Sequence, residues 1–89
     1  MDAAYGIAAY RSRQQVIRMN ELFRRNGISS QIVSTPKEIS AGCGLSVRFD
    51  LQSASNVKRI VQREKSSNLI GLYMVRIENG KQKLSVLSI

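Results

Sequence analysis

The sequence predicts an α+β protein of the ferredoxin-like βαββαβ class, with an additional C-terminal edge strand. Two stretches carry apolar residues at helical spacing, short strand-like segments lie around them, and the pair Asn79-Gly80 favours a two-residue hairpin turn. The elements follow one another as strand, helix, strand, strand, helix, strand and one more strand. With 89 residues, 43% of them hydrophobic, the chain suffices for one small core, so we expect residues 1–89 to form a single domain.

The first strand and the first helix are predicted from residues 5–27. Residues 5–10 are apolar and mostly small, which is typical of a buried strand. Ser12 followed by Gln15 is a capping-box signature. Apolar side chains then recur at helical spacing, at Val16, Met19, Leu22 and Phe23. Asn26-Gly27 is a typical helix end, so we expect this helix over residues 12–26.

The remaining elements are predicted in the same way. Residues 28–34 indicate a strand that ends before Pro36, and residues 45–49 alternate in the manner of a half-buried strand. Ser53 is the expected N-cap of a second helix, whose apolar side is Val57, Ile60 and Val61. Residues 66–68 end that helix, residues 69–78 form a strand, and residues 81–89 return from the hairpin as an edge strand.

The single cysteine, Cys43, lies in the segment between the second and third strands. Residues 35–38 resemble a capping box with Pro36 at the first helical position, so we expect one helical turn, ended by Gly42. Gly42 and Gly44 flank the thiol and leave it little side-chain cover. The third strand starts directly afterwards. We therefore expect an approachable thiol at the mouth of a strand.

The predicted topology gives this thiol basic neighbours. A third strand that lies antiparallel between the first two would place Cys43 near the end of the first strand and the start of the first helix. The helix N-terminus, together with Arg11 and Arg13, would favour a thiolate over a thiol. The alternative is that Cys43 is a small buried apolar residue. Arg48, on the polar side of its strand, either holds an anion or is an exposed charge on an open sheet face.

Composition excludes several function classes. Without histidine and with one cysteine, the chain has no zinc ligand set and no hydrolytic Ser/His or Cys/His pair, and we expect neither a metal nor a cofactor. In the third-strand motif of an RNA-recognition domain only Gly44 matches, so base stacking is unsupported there. The N-terminus lacks a signal-peptide pattern, and one cysteine fits a reducing compartment. We therefore expect a soluble cytoplasmic protein that contacts no membrane.

Charge leaves the partner open. Fourteen lysines and arginines against six acids give a net charge of +8, which fits an acidic protein or a nucleic acid as partner. The alternative is a solvated surface that aids solubility. The basic residues that would matter in binding are Arg24, Arg25, Lys58, Arg59, Arg63 and Lys65.

Four segments of the sequence form a recognisable pattern. They are Tyr10-Arg-Ser12, Asn26-Gly-Ile28, residues 35–40 and, most specific, the run from Pro36 to Phe49 with its Cys43-Gly44 pair. Together they resemble the small bacterial domain family of selenium/sulfur carrier-like proteins. The resemblance covers nearly all of residues 4–77, and the chain departs from it in its tail after Asn79 and in its basicity.

The resemblance implies that Cys43 holds sulfur or selenium. It further implies that Gly44 shapes the loop, that Pro36 opens it, and that Ser12 and Arg48 lie nearby. Cys43 would take the chalcogen from a donor as a persulfide or perselenide and pass it to an acceptor protein, as one component of a transfer system rather than a complete enzyme. The main alternative is a basic ferredoxin-like module for RNA or an acidic protein, with a structural cysteine. A further alternative is a homodimer formed through the C-terminal edge strand.

Overall fold

A computed structural model describes residues 3–39, 44–65 and 67–87 and shows an α+β protein. Its five strands form one antiparallel sheet in the order β2-β3-β1-β4-β5, accompanied by two helices. The elements are β1 (Ala3–Tyr10), α1 (Arg13–Arg25), β2 (Ser30–Ser34), β3 (Leu45–Phe49), a 3₁₀ turn (Leu51–Ser53), α2 (Ala54–Glu64), β4 (Leu69–Glu78) and β5 (Lys81–Leu87). As expected, β3 lies between β1 and β2 and is antiparallel to both.

Most element boundaries agree with the prediction, and the exceptions are β1, which begins at Ala3 rather than at Tyr5, and the second strand. The second strand begins at Ser30 rather than at Ile28, because Ile28 belongs to the end of α1. The Gly27 amide donates to the Arg24 carbonyl (3.1 Å) and the Ile28 amide to the Phe23 carbonyl (3.0 Å). This pair of bonds is a Schellman motif, which satisfies carbonyl groups that the helix end would otherwise leave unpaired.

The prediction of a helical turn at residues 35–38 is wrong. The chain instead makes a hydrogen-bonded turn in which the Ile39 amide donates to the Pro36 carbonyl (3.0 Å). The Thr35 hydroxyl does not cap a helix, because it is bonded to the Ser46 hydroxyl (2.7 Å). Gly42, the expected end of that turn, lies outside the described residues.

Both helices pack on one face of the sheet. Side-chain alternation directs Ala8 and Tyr10 of β1 to this face, where they meet the apolar sides of α1 and α2. The buried members of this cluster are Ala8, Tyr10, Val16, Met19, Phe23, Ile28, Val47, Phe49, Val57, Ile60, Val61 and Leu72. This cluster is the main hydrophobic core of the described chain.

The other face of the sheet, here called the second face, is partly covered. The turn at 36–39 folds back so that the Ile39 side chain is buried against Ile7, Ala9 and Val75. The face that carries Arg48 is therefore not fully open, which corrects the expected description of it. The segment that leads towards Cys43 is consequently anchored on this face.

The Asn79-Gly80 hairpin is confirmed. Both residues have positive φ, 51° and 77°, which is the requirement of the tight turn that fits the twist of two antiparallel strands. β5 lies at the edge of the sheet beyond β4, and its expected last residues, Ser88 and Ile89, lie outside the described residues. Neither helix in the described ranges is long and apolar enough to cross a membrane.

Candidate functional site

The loop that carries Cys43 leaves the sheet through a closed base. Ser34 pairs with Leu45 as the last residue pair between β2 and β3. Beyond it, the Thr35 amide donates to the Gly44 carbonyl (2.9 Å), and the Thr35 and Ser46 hydroxyls are 2.7 Å apart. Ser46 is fully buried, so water does not compete for this bond. These contacts fix the two ends of the loop side by side.

Gly44, the residue after Cys43, needs to be glycine for a conformational reason. Its φ is +83°, in the left-handed region that other residues rarely adopt. No atom lies within 4 Å of the position that a Cβ would take, so space is not the constraint. The prediction that Gly44 shapes the loop depends on the conformation of Gly42 and Cys43. Both residues lie outside the described residues, so it stays a prediction.

The elements that were expected to converge near Cys43 lie at one end of the sheet. Ala9, near the end of β1, pairs with Ser46, so β3 starts where β1 ends and α1 begins. Ser12 is the N-cap of α1, and its hydroxyl accepts from the Gln15 amide (3.3 Å). The first turn of α1 contains no acidic residue. The positive end of the helix is therefore not neutralised by its own side chains.

Arg11 and Arg13 are placed differently from each other. The Arg11 amide and guanidinium donate to the carbonyls of Asn68 (2.7 Å) and Ser67 (3.3 Å), in the turn before β4. β4 lies on the opposite side of β1 from β3, so these contacts draw Arg11 away from Gly44. Arg13 is exposed in the first turn of α1. Neither guanidinium pairs with an acid among the described residues.

Tyr10, at the end of β1, takes no part in acid–base chemistry at neutral pH. Its side chain is buried in the core under the helices. Burial raises the pKa of the phenol, and the Glu64 carboxylate raises it further. The phenol therefore remains protonated well above physiological pH.

A cleft of about 470 Å³ lies on the second face of the sheet, beside the turn at 36–39. It is lined by Tyr5, Ile7, Val33, Ser34, Thr35, Pro36, Lys37, Glu38, Arg48 and Gln82, and is called the second-face cleft below. The Arg48 guanidinium stacks on the Tyr5 ring, 4.0 Å from its centre. Of the sequence-predicted site residues, Pro36 and Arg48 therefore meet in this cleft.

The sequence prediction missed Ser46 at the loop base, and it missed Tyr5 and Gln82 in the second-face cleft. They lie on β3, β1 and β5, and only strand pairing brings them together. Alternation along β1 could have placed Tyr5 on the face opposite Ala8 and Tyr10. No local signal indicates that Gln82 reaches the same cleft.

The residues of the alternative basic surface come together only in part. Arg59 and Arg63, one turn apart on α2, line a smaller cavity of about 210 Å³ with Asn26, Asn56 and Ile60. Arg25 instead pairs with Glu21 (2.7 Å) on α1. Arg24 and Lys65 are exposed, and Lys58 is half-buried.

Comparison with known proteins gives one family match. The family described as "Putative Se/S carrier protein-like" matches residues 5–70, from β1 to the first residues of β4, and so includes the whole loop around Cys43. No curated protein matches the chain, and no solved structure does either. Because the match spans well over half of the sequence, the chain belongs to this Se/S carrier-like family.

Proposed function

We propose that this protein carries sulfur or selenium on Cys43 and delivers it to a partner protein. Membership of the carrier-like family is the observation that supports this function most directly. The loop base adds a physical reason. Thr35, Gly44 and Ser46 hold both ends of the loop against the sheet, so the base of the segment that contains Cys43 is fixed by hydrogen bonds.

In the proposed loading step, the Cys43 thiolate attacks the terminal sulfur of a donor persulfide. A sulfur–sulfur bond forms at Cys43 while the donor's sulfur–sulfur bond breaks, and the donor leaves as a thiolate. The terminal sulfur keeps its proton, so no oxidant or reductant is needed. The sequence holds no second cysteine to displace the adduct, so release requires a nucleophile on an acceptor.

The other predicted site residues would support this step. Gly42 and Gly44 keep the approach to the thiol clear, and Pro36 opens the loop. The N-terminus of α1, capped by Ser12, favours the thiolate, as does the charge of Arg13. The predicted contribution of Arg11 is the smaller one, because its guanidinium donates to the Ser67 carbonyl on the other side of β1. Arg48 would interact with an anionic donor from the second-face cleft. The thiol has to stay reduced, which suits a cytoplasmic location.

We also propose that the domain is ferredoxin-like. The order β2-β3-β1-β4 and the packing of both helices on one face support this classification. β5 then extends the edge of the sheet beyond the basic pattern.

The loading step is tested by intact mass after incubation with a small-molecule persulfide. We expect the native chain to gain one sulfur atom, which a thiol reductant removes, and Cys43→Ser to gain none. A relocated thiol, Cys43→Ser with Ser85→Cys, is the matched control, because Ser85 is exposed on β5 away from the loop. We expect it to load at least about tenfold more slowly at neutral pH, since no helix N-terminus lies beside it.

Two results would contradict the proposal. One is equal loading of the relocated thiol, which would mean that the loop confers no special reactivity. The other is a Cys43 that reacts only after unfolding, which would make it a structural residue.

A further inference from the structure

The second-face cleft has the dimensions of a small-molecule site and borders the loop. Its volume of about 470 Å³ lies within the common range of ligand pockets. Thr35 lines the cleft and also bonds the carbonyl of Gly44, the residue directly after Cys43. A ligand seated in the cleft would therefore have one end at the base of the cysteine loop.

The lining of the cleft combines apolar surface with unpaired cations. Ile7, Val33 and the Tyr5 ring supply the apolar part. Arg48 and Lys37 are exposed there, and neither pairs with an acid within the described ranges. The Tyr5 ring holds the Arg48 guanidinium in place by stacking, which leaves its edge donors available for a carboxylate.

The acidic group in the lining further restricts the classes of ligand that the cleft fits. Glu38 faces the same cleft as the two cations, so the lining has two positive charges and one negative charge. Such a set matches a zwitterionic molecule that carries at least one more carboxylate than ammonium groups. A purely apolar ligand would leave these charges uncompensated.

We propose that the second-face cleft binds the sulfur donor itself, as a low-molecular-weight persulfide with amino-acid character and a net negative charge. The inference rests on the proposed carrier function and adds the chemical class of the donor. Arg48 binds the carboxylate of the donor, and the persulfide end points to the loop base at Thr35. After transfer to Cys43, the donor thiolate leaves from the same cleft.

Binding is tested separately from transfer with S-methylglutathione, a thioether that has no sulfur to transfer. Its dissociation constant is measured by NMR titration for the native chain, Cys43→Ser, Arg48→Gln and Lys81→Gln. Lys81 is an exposed cation in the β4–β5 hairpin outside the cleft lining and serves as the charge-matched control. We expect equal affinity in the native chain, Cys43→Ser and Lys81→Gln, and at least about tenfold weaker binding in Arg48→Gln.

Transfer is then measured with glutathione persulfide as donor. We expect Arg48→Gln to raise the half-saturating donor concentration by the same factor and to leave the maximal loading rate unchanged. S-methylcysteamine, which has no carboxylate, should bind far more weakly than S-methylglutathione.

Three outcomes would overturn the inference. They are the absence of binding to the native chain at millimolar probe, equal affinity of Arg48→Gln and Lys81→Gln, and equal binding of the probe without a carboxylate. In each case the carrier function could still hold, because loading of Cys43 from a persulfide on a donor protein would remain intact. If the carrier function itself is wrong, the native chain will bind S-methylglutathione but will gain no sulfur from glutathione persulfide.

Discussion

Two hydroxyl groups join the strands on either side of the cysteine loop. Thr35 follows β2, Ser46 lies in β3, and their oxygens are 2.7 Å apart. Ser46 is fully buried, so its hydroxyl depends on protein partners for hydrogen bonding. The Thr35 amide adds a second link, to the Gly44 carbonyl. The geometry of the loop base therefore depends on a few named atoms.

A double-mutant cycle on Thr35 and Ser46 tests this link. Ser46→Ala and Thr35→Val should each lower the free energy of unfolding by about 1 kcal/mol, because each leaves one hydroxyl without its partner. The double variant should lower the free energy of unfolding by about 1 kcal/mol less than the sum of the two single effects. The reason is that both polar groups are then removed together. Urea unfolding gives the three values.

Ser85→Ala is the control for this cycle. Ser85 is an exposed strand residue, so its replacement should change stability by less than about 0.5 kcal/mol. Strict additivity of the Thr35 and Ser46 variants would show that the two hydroxyls are not energetically coupled.

The two helices differ in how their N-termini are stabilised. In α1 the Ser12 hydroxyl accepts from the Gln15 amide, whereas Ser53 precedes α2 without a side-chain capping bond. Ser53 ends a 3₁₀ turn and has φ −93° and ψ 6°, not the extended backbone of a typical N-cap. The same residue type at two predicted caps therefore has two different roles.

This difference predicts unequal effects of the same substitution. Ser12→Ala should lower the free energy of unfolding by about 1 kcal/mol, because α1 loses its cap. Ser53→Ala should lower the free energy of unfolding by less than about 0.5 kcal/mol, since no capping bond is lost. Thermal unfolding of the two variants provides the comparison, and equal shifts in Tm would contradict this assignment of the caps.

Charge is unevenly compensated across the described part of the chain. The described chain contains four ion pairs, formed by Arg18, Arg25, Arg76 and Lys83 with Glu64, Glu21 and Glu78. Arg59 and Arg63 form none and share one cavity beside the end of α1. This site is where the alternative function, binding of RNA or an acidic protein, has most structural support.

The alternative predicts a local, salt-dependent contact. Arg59→Gln with Arg63→Gln should weaken binding of a labelled single-stranded RNA at least about tenfold, because two phosphate contacts are lost. The affinity of this double variant for RNA should also depend less steeply on the salt concentration. The control is Arg76→Gln with Lys81→Gln, which removes the same charge from the β4–β5 hairpin. Equal weakening in both double variants would reduce the effect to net charge. The absence of measurable binding by the native chain would exclude RNA as the partner.

Local signals in the sequence predict most of the secondary structure of this protein, but not the turn at 36–39. Capping residues, alternation and the Asn79-Gly80 pair predicted every strand and both helices, with β3 and β4 correct to the residue. These signals succeed because each depends on residues within a few positions of one another. The resemblance around Cys43 and Gly44 likewise predicted the family that the match to residues 5–70 shows.

What covers the second face and what borders the loop depend on contacts between residues that are distant in the sequence. Alternation predicted that Ser46 and Arg48 lie opposite Val47, but not that Ile39 would fold over that face or that Ser46 would be buried. The second-face cleft joins Tyr5 and Gln82 through the order and register of strands that are far apart in sequence. Strand pairing is non-local, so side chains that are unrelated along the chain become the walls of one site.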